Sequence, residues 1–221
     1  MTSAIIAGTP ASTLVSEQKP TRKKYTKSAL VCGVGMNDFH DRVLIDGRAI
    51  RSYDTWHSML RRCYAKSDLS RRPTYTVCSV ADSWLSFSTF EKWYTENYVE
   101  GYQLDKDILI QGNKVYSPDT CVFVPQALNG LLEDSRGSRG VYPIGVARCG
   151  TGFQATIRLN SRNVYLGRGA TPQLAHKLWQ LKKAEIIENF PTTDPRIRKA
   201  LDLRVAQLRD DHANNRITTK L

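Results

Sequence analysis

Between Arg136 and Arg168 the chain carries six arginines, no lysine and no acidic residue. The flat guanidinium fork matches phosphate oxygens and guanine edges, so arginines on adjacent strands make a surface suited to nucleic acid. A solvated face normally mixes both signs, and this stretch does not. It reads as three short strands, 141–148, 153–159 and 163–167, with turns at 150–152 and 160–162. Period-two alternation assigns Ile144, Val146, Ala155 and Ile157 to the side that meets a helix. Arg148, Gln154, Thr156 and Arg158 are assigned to the open side.

The elements around this block follow from local signals. Thr171-Pro172 is a cap followed by proline, a good helix start, and Leu174, Leu178, Leu181 and Ile186 would cover the sheet. Asp194-Pro195 opens a last helix in the same way, with Ile197, Leu201, Val205 and Leu208 on one side and a polar tail after it. Upstream, Asp46-Gly47 marks a hairpin turn. Trp56, Met59, Leu60, Cys63 and Tyr64 recur at the spacing of one helical face, with Arg61 and Arg62 turned elsewhere. A loop at 67–73 and a strand at 74–80 follow. Phe87, Phe90 and Trp93 mark a second helix, with Ser88 and Glu91 fitting a capping box. Strands at 104–110 and 116–124 flank the turn Gln111-Gly112-Asn113, and Pro125 opens a helix through Leu132. The Gly/Ser/Arg stretch 134–140 reads as a linker.

The 221 residues carry a formal charge of +11, which favours a polyanion partner, DNA or RNA ahead of a membrane surface. No apolar run approaches the ~18 residues needed to span a bilayer. Residues 1–28 read as a disordered arm ending in the basic run at 21–27; such an arm either lies along phosphates or merely solubilises. Its first residues lack the basic leader and long apolar centre of an export signal. The five cysteines form no C-x-x-C pair. Their odd count predicts reduced thiols in a cytoplasmic protein, packed as small apolar groups or, less simply, holding zinc through Cys63, Cys78 and Cys121.

Two resemblances join these signals. Gly145-Val-Ala-Arg148, Phe153-Gln-Ala-Thr-Ile-Arg158 and Tyr165-Leu-Gly167 before a helix resemble the ethylene-response-factor (Apetala) DNA-binding domain. That resemblance implies a three-stranded sheet in the major groove, with Arg148, Gln154, Thr156, Arg158, Arg162, Tyr165 and Arg168 as the DNA-binding set. The family's strand-two tryptophan is Phe153 here. The preceding region is similar to phage and mobile-element proteins related to HNH homing endonucleases. The shared pattern runs through Trp56-x-x-Met59-x-x-Arg62-Cys63-Tyr64, Cys78, Trp84-x-x-Phe87-x-x-Phe90, Leu104-Asp105-Lys106-Asp107, Gly112-Asn113 and Tyr116-Ser117-Pro118-x-Thr120-Cys121.

The second resemblance implies a histidine base, a divalent metal and an orienting asparagine or histidine. The family's Asp-His pair falls at Asp105-Lys106, and no histidine lies between His57 and His176. Candidate catalytic residues are Asp105, Asp107 and Asn113, with Asp105 and Asp107 as ligands of Mg2+ or another divalent cation. Spacing of two in one strand would project both carboxylates to the same face, and Asn113 or Asp119 would complete the set. The competing role for these carboxylates is stabilising a turn or pairing with Lys106 and Lys114. His40 and His57 are the remaining bases within reach.

The expected fold is α+β: an HNH-like ββα-type core at 29–133, the linker, a three-stranded antiparallel sheet packed on one helix at 141–190, and a C-terminal helix and tail at 191–221. The expected partner is double-stranded DNA, without a membrane, and with a protein partner left open. The expected function is DNA binding with metal-dependent nicking. The alternative is a catalytically dead DNA-binding module that regulates or inhibits a host nucleic-acid protein; if phage-encoded, either would act in the host cytoplasm.

Overall fold

The computed structural model describes residues 30–39, 43–133, 140–159 and 162–221. The basic run at 21–27, His40 and residues 134–139 of the linker lie outside the described residues. The architecture is α+β, with six α-helices and four small sheets among the described residues.

The hairpin forms as its turn residues require. Strands β1 (Leu44–Ile45) and β2 (Arg48–Ala49) pair antiparallel around Asp46 and Gly47, whose φ values of 50° and 72° suit a two-residue turn. Helix α1 (Arg51–Tyr64) buries Trp56, Met59, Leu60 and Cys63, the expected face. The segment taken for a loop at 67–73 is mostly a short helix, α2 (Lys66–Arg71), none of whose residues is buried. Proline then fixes a tight 3-10 turn at Pro73–Tyr75, and the strand expected at 74–80 shrinks to β3 (Ser79–Val80).

Helix α3 (Phe87–Asn97) buries Phe87, Phe90 and Tyr94. The Ser88–Glu91 capping box does not form. Asp38, from far upstream, accepts the Ser88 N–H at 2.8 Å and the Ser86 and Ser88 hydroxyls at 2.6 Å each. Burial opposes ionisation of Asp38, but these hydrogen bonds outweigh it and hold the carboxyl below its ordinary range.

Strands β4 (Tyr102–Asp105) and β6 (Val122–Pro125) pair antiparallel and lead into α4 (Gln126–Leu132), a strand–strand–helix unit. Between them in sequence lies β5 (Val115–Tyr116), which pairs in parallel with β3. Both long strands expected here are cut short. The first stops because Asp105 Oδ1 accepts the N–H groups of Asp107 and Ile108, at 2.9 and 2.7 Å, and folds the chain out of its extended path. A turn at 117–121 interrupts the second, with the Cys121 N–H on the Ser117 carbonyl and the Ser117 and Thr120 hydroxyls 2.8 Å apart.

The arginine block is a three-stranded antiparallel sheet of β7 (Val146–Cys149), β8 (Gly152–Leu159) and β9 (Arg162–Gly169), in that order. Helix α5 (Pro172–Glu188), capped by the Thr171 hydroxyl, lies across it. Its buried face is Ala175, His176, Trp179, Gln180, Lys183, Ala184 and Ile187. Of the side chains expected there, Leu178 and Ile186 pack partly buried against the core, while Leu174 and Leu181 stay out, at 52% and 49% exposure. At Leu174 the cause is close approach: a Cβ on Gly169 would fall 2.6 Å from the Ala175 nitrogen, so the helix backbone itself fills that part of the contact.

Helix α6 (Pro195–Ala213), capped by Asp194, packs on α5 and buries Ile197, Leu201, Val205 and Leu208 as its periodicity predicts. The tail after it is not left in water: Thr218 and Leu221 are buried. Gln180 Nε2 donates to the Arg216 carbonyl and the Thr218 hydroxyl, and the Thr218 N–H donates to His176 Nε2. His176 Nδ1 therefore carries the ring proton and donates to the Ile144 carbonyl at 2.9 Å, bracing the sheet.

One apolar cluster unites Ile108, Val124 and Leu128 with Trp179, Ile187 and Leu201, across the 134–140 segment. A second, aromatic cluster holds Trp56, Trp84, Phe87, Phe90 and Tyr116. Cys63, Cys78 and Cys121 are buried and unbridged. Burial pushes the Cys63 and Cys121 thiols up to about 12, so they pack as neutral small side chains. No helix among the described residues is long and apolar enough to cross a membrane.

Lys183 is 5% exposed, with its ammonium on the Leu131 carbonyl and 5.5 Å from the centre of the Trp179 ring. Burial lowers it to about 8. The unfolded chain therefore binds more protons above that value, and stability must rise with pH until the ordinary lysine range is reached. Relative to Lys183→Met, the native chain should gain about 2 kcal/mol between roughly pH 7 and 9.5 in urea unfolding. A constant difference across that window would mean that the amine keeps its proton in the fold.

Candidate nucleic-acid interface and the adjoining cleft

Antiparallel partners share a face, so the register sorts the sheet. Gln154 pairs with Arg168, Thr156 with Tyr165 and Arg158 with Asn163, and all six lie on the side away from α5. Arg158, Asn163, Tyr165 and Arg168 are exposed, while Gln154 and Thr156 are half-buried. A bulge at Ala155/Thr156 turns Leu166 toward the apolar clusters and leaves Tyr165 facing out, 59% exposed. Without that extra residue the alternation would have sent the tyrosine inward.

Arg148 is a correction. It pairs with Phe153, on the same side as Val146 and Ala155, at an end of the sheet where it remains exposed. Its parity with Val146 already carried this information. Arg162 pairs with Leu159, also on the helix-facing side, and is exposed.

Among the described residues, none of Arg148, Arg158, Arg162 and Arg168 forms an ion pair. Elsewhere Arg51, Arg61, Arg196, Arg198, Arg209 and Arg216 each hold a carboxylate. Arg168 Nη2 donates to the Cys149 carbonyl at 2.7 Å, which aims the guanidinium along the sheet without neutralising it.

The carboxylates singled out from sequence border a cleft of about 830 Å³, whose lining includes Arg51, Arg62, Tyr75, Lys106 and Asn129. They are brought together, but not as two members of one strand: Asp105 ends β4 and Asp107 lies in the turn beyond it. Burial, then the neighbouring Asp107 charge, pushes the Asp105 carboxyl up, against the two N–H donors it accepts.

Lys106, in the place of the expected histidine, is 6% exposed. Its ammonium bonds Asp107 Oδ2 at 2.9 Å and the Asn113 carbonyl at 3.1 Å, with the Tyr75 and Tyr116 rings 5.7 and 5.9 Å away. Burial works against its charge, yet the Asp107 carboxylate outweighs it and holds the ammonium above its ordinary range. A base so placed has no free lone pair at neutral pH.

Asn113 is spent on backbone: its amide nitrogen donates to the carbonyls of Lys106 and Val115 at 2.7 Å each, and its oxygen accepts the Val115 N–H. Asp119 is exposed and does not line the cleft. His57 stacks on Tyr53 and does not line it either. Two further arginines bear on the cleft. Arg62 lines it; burial works against its charge, yet the neighbouring Tyr116 phenol outweighs that and holds the guanidinium above its ordinary range. Arg204, 4% exposed on α6, donates to the Asp107 and Ala200 carbonyls at 3.1 and 2.9 Å.

This donor set does not suit a divalent cation. Asp105 braces its own turn, Asp107 is neutralised by Lys106, and no three His, Cys, Asp or Glu side chains converge among the described residues. The turn-stabilising role weighed for these carboxylates is the one the geometry displays.

No protein-family model matches the chain, and neither a curated protein nor a solved structure matches it.

Proposed function

We propose that this chain is a duplex DNA-binding protein. It grips DNA with the open face of the β7–β9 sheet, and its nuclease-like strand–strand–helix unit is held together by Lys106 rather than used for cleavage. The observation that carries the reading is the set of sheet arginines without carboxylate partners among the described residues, in a chain whose other arginines are so often paired. Arg158 and Arg168 supply charge and forked donors, Gln154, Thr156 and Asn163 supply neutral hydrogen-bonding groups, and Tyr165 supplies a flat edge at the rim. The resemblance to the ethylene-response-factor domain points to the same face.

Non-cleavage follows from the protonated Lys106 and the committed Asn113. Supercoiled plasmid incubated with the protein and magnesium or manganese should stay intact while duplex binding is tight. Binding should weaken with salt, and the sheet's share of the log–log slope should be about −2, for Arg158 and Arg168 on its open face. Nicking that disappears in Asp105→Ala would restore the enzyme reading. A slope near zero would remove DNA as the partner.

A further inference from the structure

Helix α2 has no buried residue, so the core does not require it to be helical or basic. Its one acidic side chain, Asp68, is taken by Arg61 at 3.0 Å. That leaves Lys66, Arg71 and Arg72 exposed, none in an ion pair among the described residues. A few residues further on, Tyr75 turns back to line the cleft, where the Lys106 ammonium lies near its ring. The segment is attached to α1 and hence to the aromatic cluster, whereas the arginine sheet is built on the other clusters. Among the described residues this is a second set of cations without carboxylate partners, resting on a different core cluster from the sheet.

We propose that Lys66, Arg71 and Arg72 form a second, sequence-independent contact with the phosphate backbone of the same duplex, beside the mouth of the cleft. This rests on the DNA reading of the sheet. Cations so exposed neutralise phosphates without reading bases, and their contribution appears as released counterions. Three such contacts account for a share of the salt slope comparable to the sheet's own. They also extend the footprint beyond the sheet's own site.

The test compares the full chain with the triple variant Lys66→Gln, Arg71→Gln, Arg72→Gln on a mixed-sequence duplex of roughly 30 base pairs, long enough to meet both surfaces. The expected result is a salt slope smaller in magnitude by about 2 to 3 and a hydroxyl-radical footprint shortened at one end. Base preference should be unchanged. Because all three side chains are exposed, the variant should unfold at the same urea concentration as the parent, which separates lost contact from lost fold. An unchanged slope and footprint in a folded variant overturns the second contact and leaves the sheet reading standing. A parent chain without salt-dependent duplex binding overturns both. If Arg158→Gln with Arg168→Gln removes all salt dependence, the sheet alone holds the duplex and the proposal fails.

Discussion

Changing Arg158 and Arg168 together to glutamine should weaken duplex binding by about two orders of magnitude, at about 1.5 kcal/mol for each guanidinium. Both project from the face away from α5, on neighbouring strands, and neither forms an ion pair among the described residues. Glutamine keeps a hydrogen-bonding tip but loses the charge, so most of the loss should disappear at high salt, where phosphate contacts contribute little. Arg148→Gln is the internal comparison. It removes the same charge from the opposite side of the sheet and should cost no more than about threefold. Filter binding or fluorescence anisotropy over a range of salt reads both effects. A loss from Arg148→Gln alone as large as half the pair's, in free energy, would mean that overall charge, and not this face, governs the binding.

Gly145→Ala, one residue before β7, should be the most damaging single-methyl change beside the sheet. Gly145 has a φ of +74°, and a Cβ built there lies 2.0 Å from Cδ1 and 2.5 Å from Cγ of Trp179. The indole has nowhere to go, being 3% exposed, stacked on His176 at 5.3 Å and crossed by the Lys183 ammonium. Backbone strain contributes about 1 to 2 kcal/mol, and displacing a buried tryptophan adds several more, by analogy with overpacked cores at about 1 to 3 kcal/mol. Gly33→Ala is the matched control, since Gly33 has a φ of +76° with nothing within 4 Å of its Cβ position. It should show the strain alone. Urea midpoints shifted equally in the two variants would show that the Trp179 contact costs nothing.

How much of this could be read beforehand depends on the range of the interaction involved. The three-strand block was legible because period-two alternation and glycine turns are local, and the order β7-β8-β9 follows from two short connections. The hairpin at Asp46-Gly47 and the α1 face were legible for the same reason. The helix face over the sheet was legible at Leu178 and Ile186 but not at Leu174, because leucine spacing says nothing about Gly169, whose missing side chain lets the helix backbone sit close at that end. Residues 104–110 look strand-like in composition, but Asp105 draws the Asp107 and Ile108 N–H groups onto its own carboxylate. The cleft was the least legible part. Its charge balance depends on Arg62 from the first helix, Tyr75, and Arg204 from the last, residues that no spacing in the chain relates.

Arg204 has a mechanical consequence. Its guanidinium leaves α6, which packs against the helix backing the arginine sheet, and ends on the Asp107 carbonyl in the turn beside the cleft. Separating the two halves would break that hydrogen bond and expose the apolar cluster that Ile108, Val124 and Leu128 share with Trp179, Ile187 and Leu201. The two halves therefore share one core, and a long polyanion touching both would have to fit itself to their spacing.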